Sequence, residues 1–144
     1  MGRTELDNLV RVRQLKAEAG AQSEIDGLAR PGSARLRDAG NPTLNPESRF
    51  DLAYNAAHAL SLAALRWHGY RSENRYTVFQ CLVHTLGLPT EQWRVLDQAH
   101  RRRNLAEYEG EVEIDPTLLA ALLRVATEVE ARVLRLGPIE APAS

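Results

Sequence analysis

The chain has a single cysteine, Cys81, and of its 18 basic residues only Lys16 is a lysine. One thiol cannot close an internal disulfide, and no cysteine cluster has metal-binding spacing. The chain therefore suits a reducing compartment, and a cytoplasmic location is expected. The opening MGRTELDNLV lacks the apolar run of a secretory signal. No apolar stretch reaches membrane-spanning length. The nearest, FDLAYNAAHALSLAAL, is interrupted by Asp51, Asn55 and His58, so no membrane association is expected. Net charge is low as well, at −1. That excludes a bulk polycation, and any nucleic-acid contact must come from a local patch. The arginine bias is what GC-rich coding produces and carries little functional weight. The glycines are scattered at helix ends and breaks, so no phosphate-cradling loop is present and no cofactor is expected. There are no repeats, no low-complexity blocks and no sustained strand alternation.

What is there is helical periodicity almost throughout. Thr4, followed by Glu5 and Asp7, predicts an N-cap and a first helix to about residue 19, ended by Gly20. Ser23 predicts the cap of a second segment, with Pro31-Gly32 kinking or breaking it. GNPTLNPES predicts a loop, because residues before proline avoid the helical region. Asn45 as N-cap and Pro46 as first residue open a helix of about 46–68. Its apolar stripe includes Phe50, Ala53, Tyr54, Ala57, Leu60, Ala64 and Leu65, with Asp51, Asn55 and Arg66 on the polar edge. Further helices are predicted at about 73–86 and 91–108. A last one begins at Asp115-Pro116 and carries Leu118, Leu122, Val125, Val129, Val133 and Leu136 inward. The expected fold is all-α: one domain, residues 1–144, forming an antiparallel bundle of five to six helices. It divides into N-terminal helices (1–45), a core region (46–136) and a mobile tail (137–144).

Chemistry concentrates in HRRRNLAEYEG, residues 100–110. At 100° per residue, Leu96, His100, Arg103 and Glu107 share one helix face, with Asn104 and Tyr108 on the neighbouring strip. Arg101 and Arg102 point elsewhere, toward solvent or a partner. An arginine on a buried seam needs an acid or carbonyls, and Glu107 is one turn away. The plain structural reading is thus an Arg103–Glu107 ion pair. Asp97-x-x-His100 has ligand spacing, but a carboxylate-bridged bundle site needs two such units, so no metal is expected. His58, His68 and His84 form no i,i+4 pair with one another, and Cys81 reads as a packed core thiol.

Two regions resemble the HEPN superfamily, compact all-α domains of prokaryotic toxin–antitoxin and defence systems. SRFDLAYNAAHALSLAALRWHGYRSENRY is similar to the family's A-Y-x-A-x-x-A helix, turn and following helix. RRRNLAEYEG, ahead of a polar linker and a long last helix, resembles the R-N-x-x-x-H region, and more closely the R-x-x-A-D/E-Y branch. Together they cover about residues 46–136. The resemblance implies a homodimer. In its catalytic members, arginine and histidine from two subunits cleave RNA without metal, through the ribose 2′-hydroxyl. Arg103 matches the motif arginine and Asn104 the next position, while Tyr108 stands where the histidine would be. Tyrosine, with a pKa of about 10, is a poor base at neutral pH. It can still donate to phosphate or stack on a base.

Three functions follow as expectations. The leading one is a HEPN-like binding or regulatory module, non-catalytic, with Arg103, Asn104, Tyr108, Glu107 and Arg102 contacting RNA, a nucleotide or a partner protein such as a cognate antitoxin. The second is a metal-independent endoribonuclease using Arg103 with His100 or Tyr108. The third is a purely protein-interacting bundle.

Overall fold

The computed structural model describes residues 2–110 and 113–139. Residues 111 and 112 of the expected acidic connection, and 140–144 of the expected mobile tail, lie outside them. The architecture is an all-α bundle. Its helices are α1 (Arg3–Arg11), α2 (Gln22–Ala39), α3 (Pro46–Trp67), α4 (Arg75–Gln80), α5 (Leu82–Thr85), α6 (Thr90–Glu109) and α7 (Pro116–Arg135). Two two-residue strands, β1 (Lys16–Ala17) and β2 (Tyr70–Arg71), pair antiparallel, Lys16 opposite Arg71.

α3 is the axis of the bundle. Asn45 accepts a hydrogen bond from the Ser48 amide at 2.8 Å, and Pro46 occupies the first turn where its missing N–H costs nothing. Ala53, Ala56, Ala57, Ala63 and Ala64 are buried, and these small side chains let α2 and α7 approach. α7 starts the same way, Asp115 accepting from the Thr117 amide at 2.9 Å. It buries Leu119, Leu122, Val125, Ala126, Val129 and Val133 as one helical stripe. Each such aliphatic side chain contributes about 1.5–3 kcal/mol when fully removed from water. A second, smaller core of Leu6, Leu15, Leu65, Tyr70, Val78 and Cys81 sits under α1 and the strand pair.

Several expectations are corrected. The first helix stops at Arg11 instead of running to residue 19. Arg13 adopts a left-handed conformation (φ 64°), the Gln14 amide reaches back to the Leu9 carbonyl at 2.8 Å, and Arg13 to Val10 at 3.0 Å. That pair of bonds is a Schellman stop. The stop is hidden in the sequence because arginine occupies the position glycine usually takes. It turns the chain so that Leu15 enters the smaller core. Thr4 and Ser23 are not caps; Gly2 and Ala21 hold those positions without side-chain bonds.

Pro31 does not break α2, which runs unbroken from Gln22 to Ala39. The ring lies on the exposed side, and four residues earlier stands Gly27, with open space beside it. The predicted helix of 73–86 is two pieces, α4 and α5, divided at Cys81. There the His84 amide bonds the Cys81 carbonyl three residues back at 2.8 Å, a tightened turn. The division lets Val78 and Cys81 face the smaller core while Phe79 and Leu82 face the larger.

Arg66 is not on a polar edge. It is only 4% exposed. Its guanidinium donates to Glu24 at 3.0 and 3.1 Å and to the carbonyls of Glu18, Ala19 and Tyr70. It thereby pins the 18–24 segment to the end of α3. Among the described residues, no helix is long and apolar enough to cross a membrane.

Candidate phosphate-recognition site

α6 is largely a surface helix, with only Leu96 and Ala99 fully buried. Its seam against α3 and α4 continues through two polar side chains, His100 and Arg103, which meet Tyr54 from the middle of α3. Tyr54 is completely buried, so its hydroxyl requires a partner. That partner is His100 Nδ1, at 2.9 Å. The other ring nitrogen, Nε2, lies 3.3 Å from Asn104 Nδ2. A neutral imidazole has one donor and one acceptor nitrogen, so these two contacts occupy the ring.

Two guanidiniums converge on the same aromatic ring. Arg103 Cζ lies 4.9 Å from the Tyr54 centroid and Arg75 Cζ, from α4, lies 5.5 Å from it. Arg103 meets Glu107 at 3.7 Å, a loose contact with an exposed carboxylate. The expected i,i+4 pair therefore forms, but at a geometry worth little. Arg75 donates to Asn55 Oδ1 at 3.2 Å and makes no ion pair among the described residues. Phe79 and His58 complete the cluster, the His58 ring edge-on to Phe79 at 5.8 Å.

The two histidines register this environment. Burial, then the charges of Arg75, Arg103 and His100, push His58 down to about 4. Burial also lowers His100, Arg103 and Arg75 adding to the effect while Asp97 and Glu107 oppose it. Both rings are therefore neutral at physiological pH.

The remaining candidates are placed as follows. Asn104 and Glu107 flank the cluster on exposed positions of α6. Arg102 does not simply face solvent. It folds toward the start of α7, donating to the Glu113 carbonyl at 2.9 Å, and its Nε is buried without a partner. Together with Arg103 it lines a small cleft of about 120 Å³ against Glu47, Phe50 and Asp51 of α3. Tyr108 is 93% exposed and stands outside the Tyr54 cluster. Arg101 pairs with Asp97 at 3.1 Å on the surface. Among the described residues, no three His, Cys, Asp or Glu side chains are grouped to hold a metal ion. Cys81 is buried, and its thiol is pushed up to about 12 by desolvation, which makes it a packing group and not a nucleophile.

Tyr54, His58 and Arg75 are the members that sequence reasoning missed as a group. Tyr54 was legible as a core residue, and its hydroxyl was a signal that some polar side chain must join it. Nothing local in the sequence pointed to Arg75. A comparison with protein families finds no model that matches the chain, and none of the curated proteins matches it.

Proposed function

We propose that the His100–Arg103–Arg75 face is the phosphate-recognising surface of a HEPN-like binding or regulatory module whose ligand is a nucleic acid or a nucleotide. One observation carries the reading: two guanidiniums share the Tyr54 ring with no tight carboxylate between them among the described residues. Like charges held together are unfavourable unless an anion joins them, and a guanidinium fork suits phosphate oxygens. The loose Glu107 contact is easily exchanged for such a ligand.

Binding is favoured over catalysis by the state of His100. Its two nitrogens are engaged by Tyr54 and Asn104, and Tyr108 is directed to solvent. A general base needs a free nitrogen within reach of the proton it removes. A homodimer or a protein partner would use a different face, the outer side of α6, where Leu105 and Tyr108 are exposed.

The test is binding of a fluorescent oligonucleotide and of a nucleoside triphosphate across a salt series, with wild type, Arg103→Ala and Arg75→Ala. Either substitution should weaken binding about tenfold, with a shallower salt dependence. Binding indifferent to salt, or unchanged in both variants, would refute the reading. The same samples, incubated with RNA in chelator, test the ribonuclease alternative. Cleavage by wild type that His100→Ala abolishes would make this an enzyme.

A further inference from the structure

Another cleft lies away from the Arg103 cluster. It encloses about 800 Å³ between the end of α1, β1 and the start of α4, and Arg13, Lys16 and Arg71 stand on its walls with Glu73. A second cleft, about 330 Å³, is lined by Glu24, His58, Arg66, Arg71, Glu73 and Arg75, with Glu24 held by Arg66. The two share Arg71, Ser72 and Glu73 as a common rim. Arg75 in turn belongs to the Tyr54 cluster with Arg103. Arg103 and Arg75 are thus linked through the Tyr54 ring, Arg75 and Arg71 through the smaller cleft, and Arg71, Lys16 and Arg13 through the other, with Glu73 on both clefts. Arg71 is already paired with Glu18 at 3.0 Å, but Arg13 and Lys16 make no ion pair among the described residues.

Arg13 stands at the helix stop that opens this cleft. Its left-handed backbone suits glycine, and for a side chain it is strained. Arginine at this position lines the cleft at a cost in stability relative to glycine. The helix stop explains the backbone, and the identity of the side chain is what the cleft would use.

We infer that this cleft is a second phosphate-binding subsite, and that one single-stranded nucleic acid lies across both, from Arg103 over the Ser72 rim to Arg13 and Lys16. The inference rests on the phosphate-recognition reading of the Arg103 face. A single strand is specified because the track crosses a rim between two clefts, which a flexible backbone follows and a stiff duplex does not. Tyr76, 38% exposed and 6.4 Å from the His100 ring, offers a stacking surface where the track meets the first site.

The experiment uses the full chain and labelled oligouridylates of about four and about twelve nucleotides, lengths that bracket common single-strand site sizes. A duplex of the longer length is the control. Wild type should bind the longer strand at least about tenfold more tightly than the shorter one or the duplex. Arg13→Gly combined with Lys16→Ala should erase that length advantage. It should lower the salt slope by about 1.4, the value for two lost contacts to a single strand, and leave the short strand unaffected. Arg13→Gly alone should raise Tm while weakening the longer strand, a trade that a merely structural arginine would not show. If the double variant binds the longer strand as wild type does, the subsite is refuted, while loss of binding in Arg103→Ala would leave the first site standing. Equal affinity for duplex also overturns the proposal. If wild type binds no oligonucleotide, the inference and the nucleic-acid reading of the Arg103 face fall together.

Discussion

The Tyr54 hydroxyl and His100 Nδ1 lie 2.9 Å apart, joining the middle of the central helix to the one polar stretch of α6 that turns inward. Tyr54→Phe keeps the ring beneath both guanidiniums and removes only this bond. Stability should fall by about 1 kcal/mol in urea melts, with ligand binding little changed. Tyr54→Leu also removes the aromatic face, where each cation–π contact contributes about 0.5–1 kcal/mol. It should cost several-fold in binding as well as stability. Equal binding by the leucine and phenylalanine variants would show that the ring does not position Arg75 and Arg103.

His58 makes stability depend on pH. Its folded value is about 4, below the ordinary value of 6.5. The unfolded chain therefore binds the proton more readily between those values, and stability rises with pH there. His58's contribution is complete above about pH 6.5 and is lost as pH falls toward 4. The facing groups are Arg75 on α4, and Arg103 and His100 on α6. The loss should be on the order of 2 kcal/mol, less than the full linkage value because the ring is partly exposed. His58→Gln should flatten urea-melt stability across that window. An unchanged profile would assign the dependence to other groups.

Arg66 should be the most sensitive charged position outside the candidate site. Arg66→Ala leaves three carbonyls without their donor while water takes over the half-exposed Glu24 carboxylate, and should destabilise by about 1–3 kcal/mol. Glu24 is held below the usual carboxylate range, first by its hydrogen bond from Arg66. A carboxylate depressed in this way stabilises the fold above its unfolded value. That contribution disappears as pH falls through the folded one. The acid limb of the melt profile should therefore be shallower in Arg66→Ala than in wild type.

Two glycines of α2 should respond in opposite directions. A Cβ at Gly27 meets nothing within 4 Å, so Gly27→Ala should stabilise by about 0.5–1 kcal/mol through helix propensity. A Cβ at Gly32 would stand 3.1 Å from Leu60 Cγ and 3.4 Å from Ala59 Cβ in the α2–α3 contact. Gly32→Ala should destabilise by about 1–3 kcal/mol through overpacking. Thermal melts of the pair decide whether close approach of α2 and α3 is what the small residue serves.

Caps backed by a proline are legible in the sequence because their chemistry is local, whereas Thr4 and Ser23, which lack one, do not cap. Asn45-Pro46 and Asp115-Pro116 start helices because a short acceptor side chain and a proline satisfy the first turn from within a few residues. The stripes of α3 and α7 follow from apolar residues spaced at helical intervals. By the same logic, helical spacing alone puts His100, Arg103 and Glu107 on one face. Other features of the fold have their reason in packing between distant parts of the chain. The stop at Arg13 is set by Leu15 reaching its core, and the division at Cys81 by two cores claiming one helix.

The sequence by itself determined an all-α bundle, its central and last helices, and an inward-turning His100–Arg103 face, because caps and helical period act over one or two turns. The tertiary structure alone decided that Arg75 joins Arg103 over Tyr54, that Arg66 is buried, and that Tyr108 stands apart. Those outcomes depend on which helices pack together. Residues 21 to 49 positions apart meet there through the shape of the core, which no local spacing encodes.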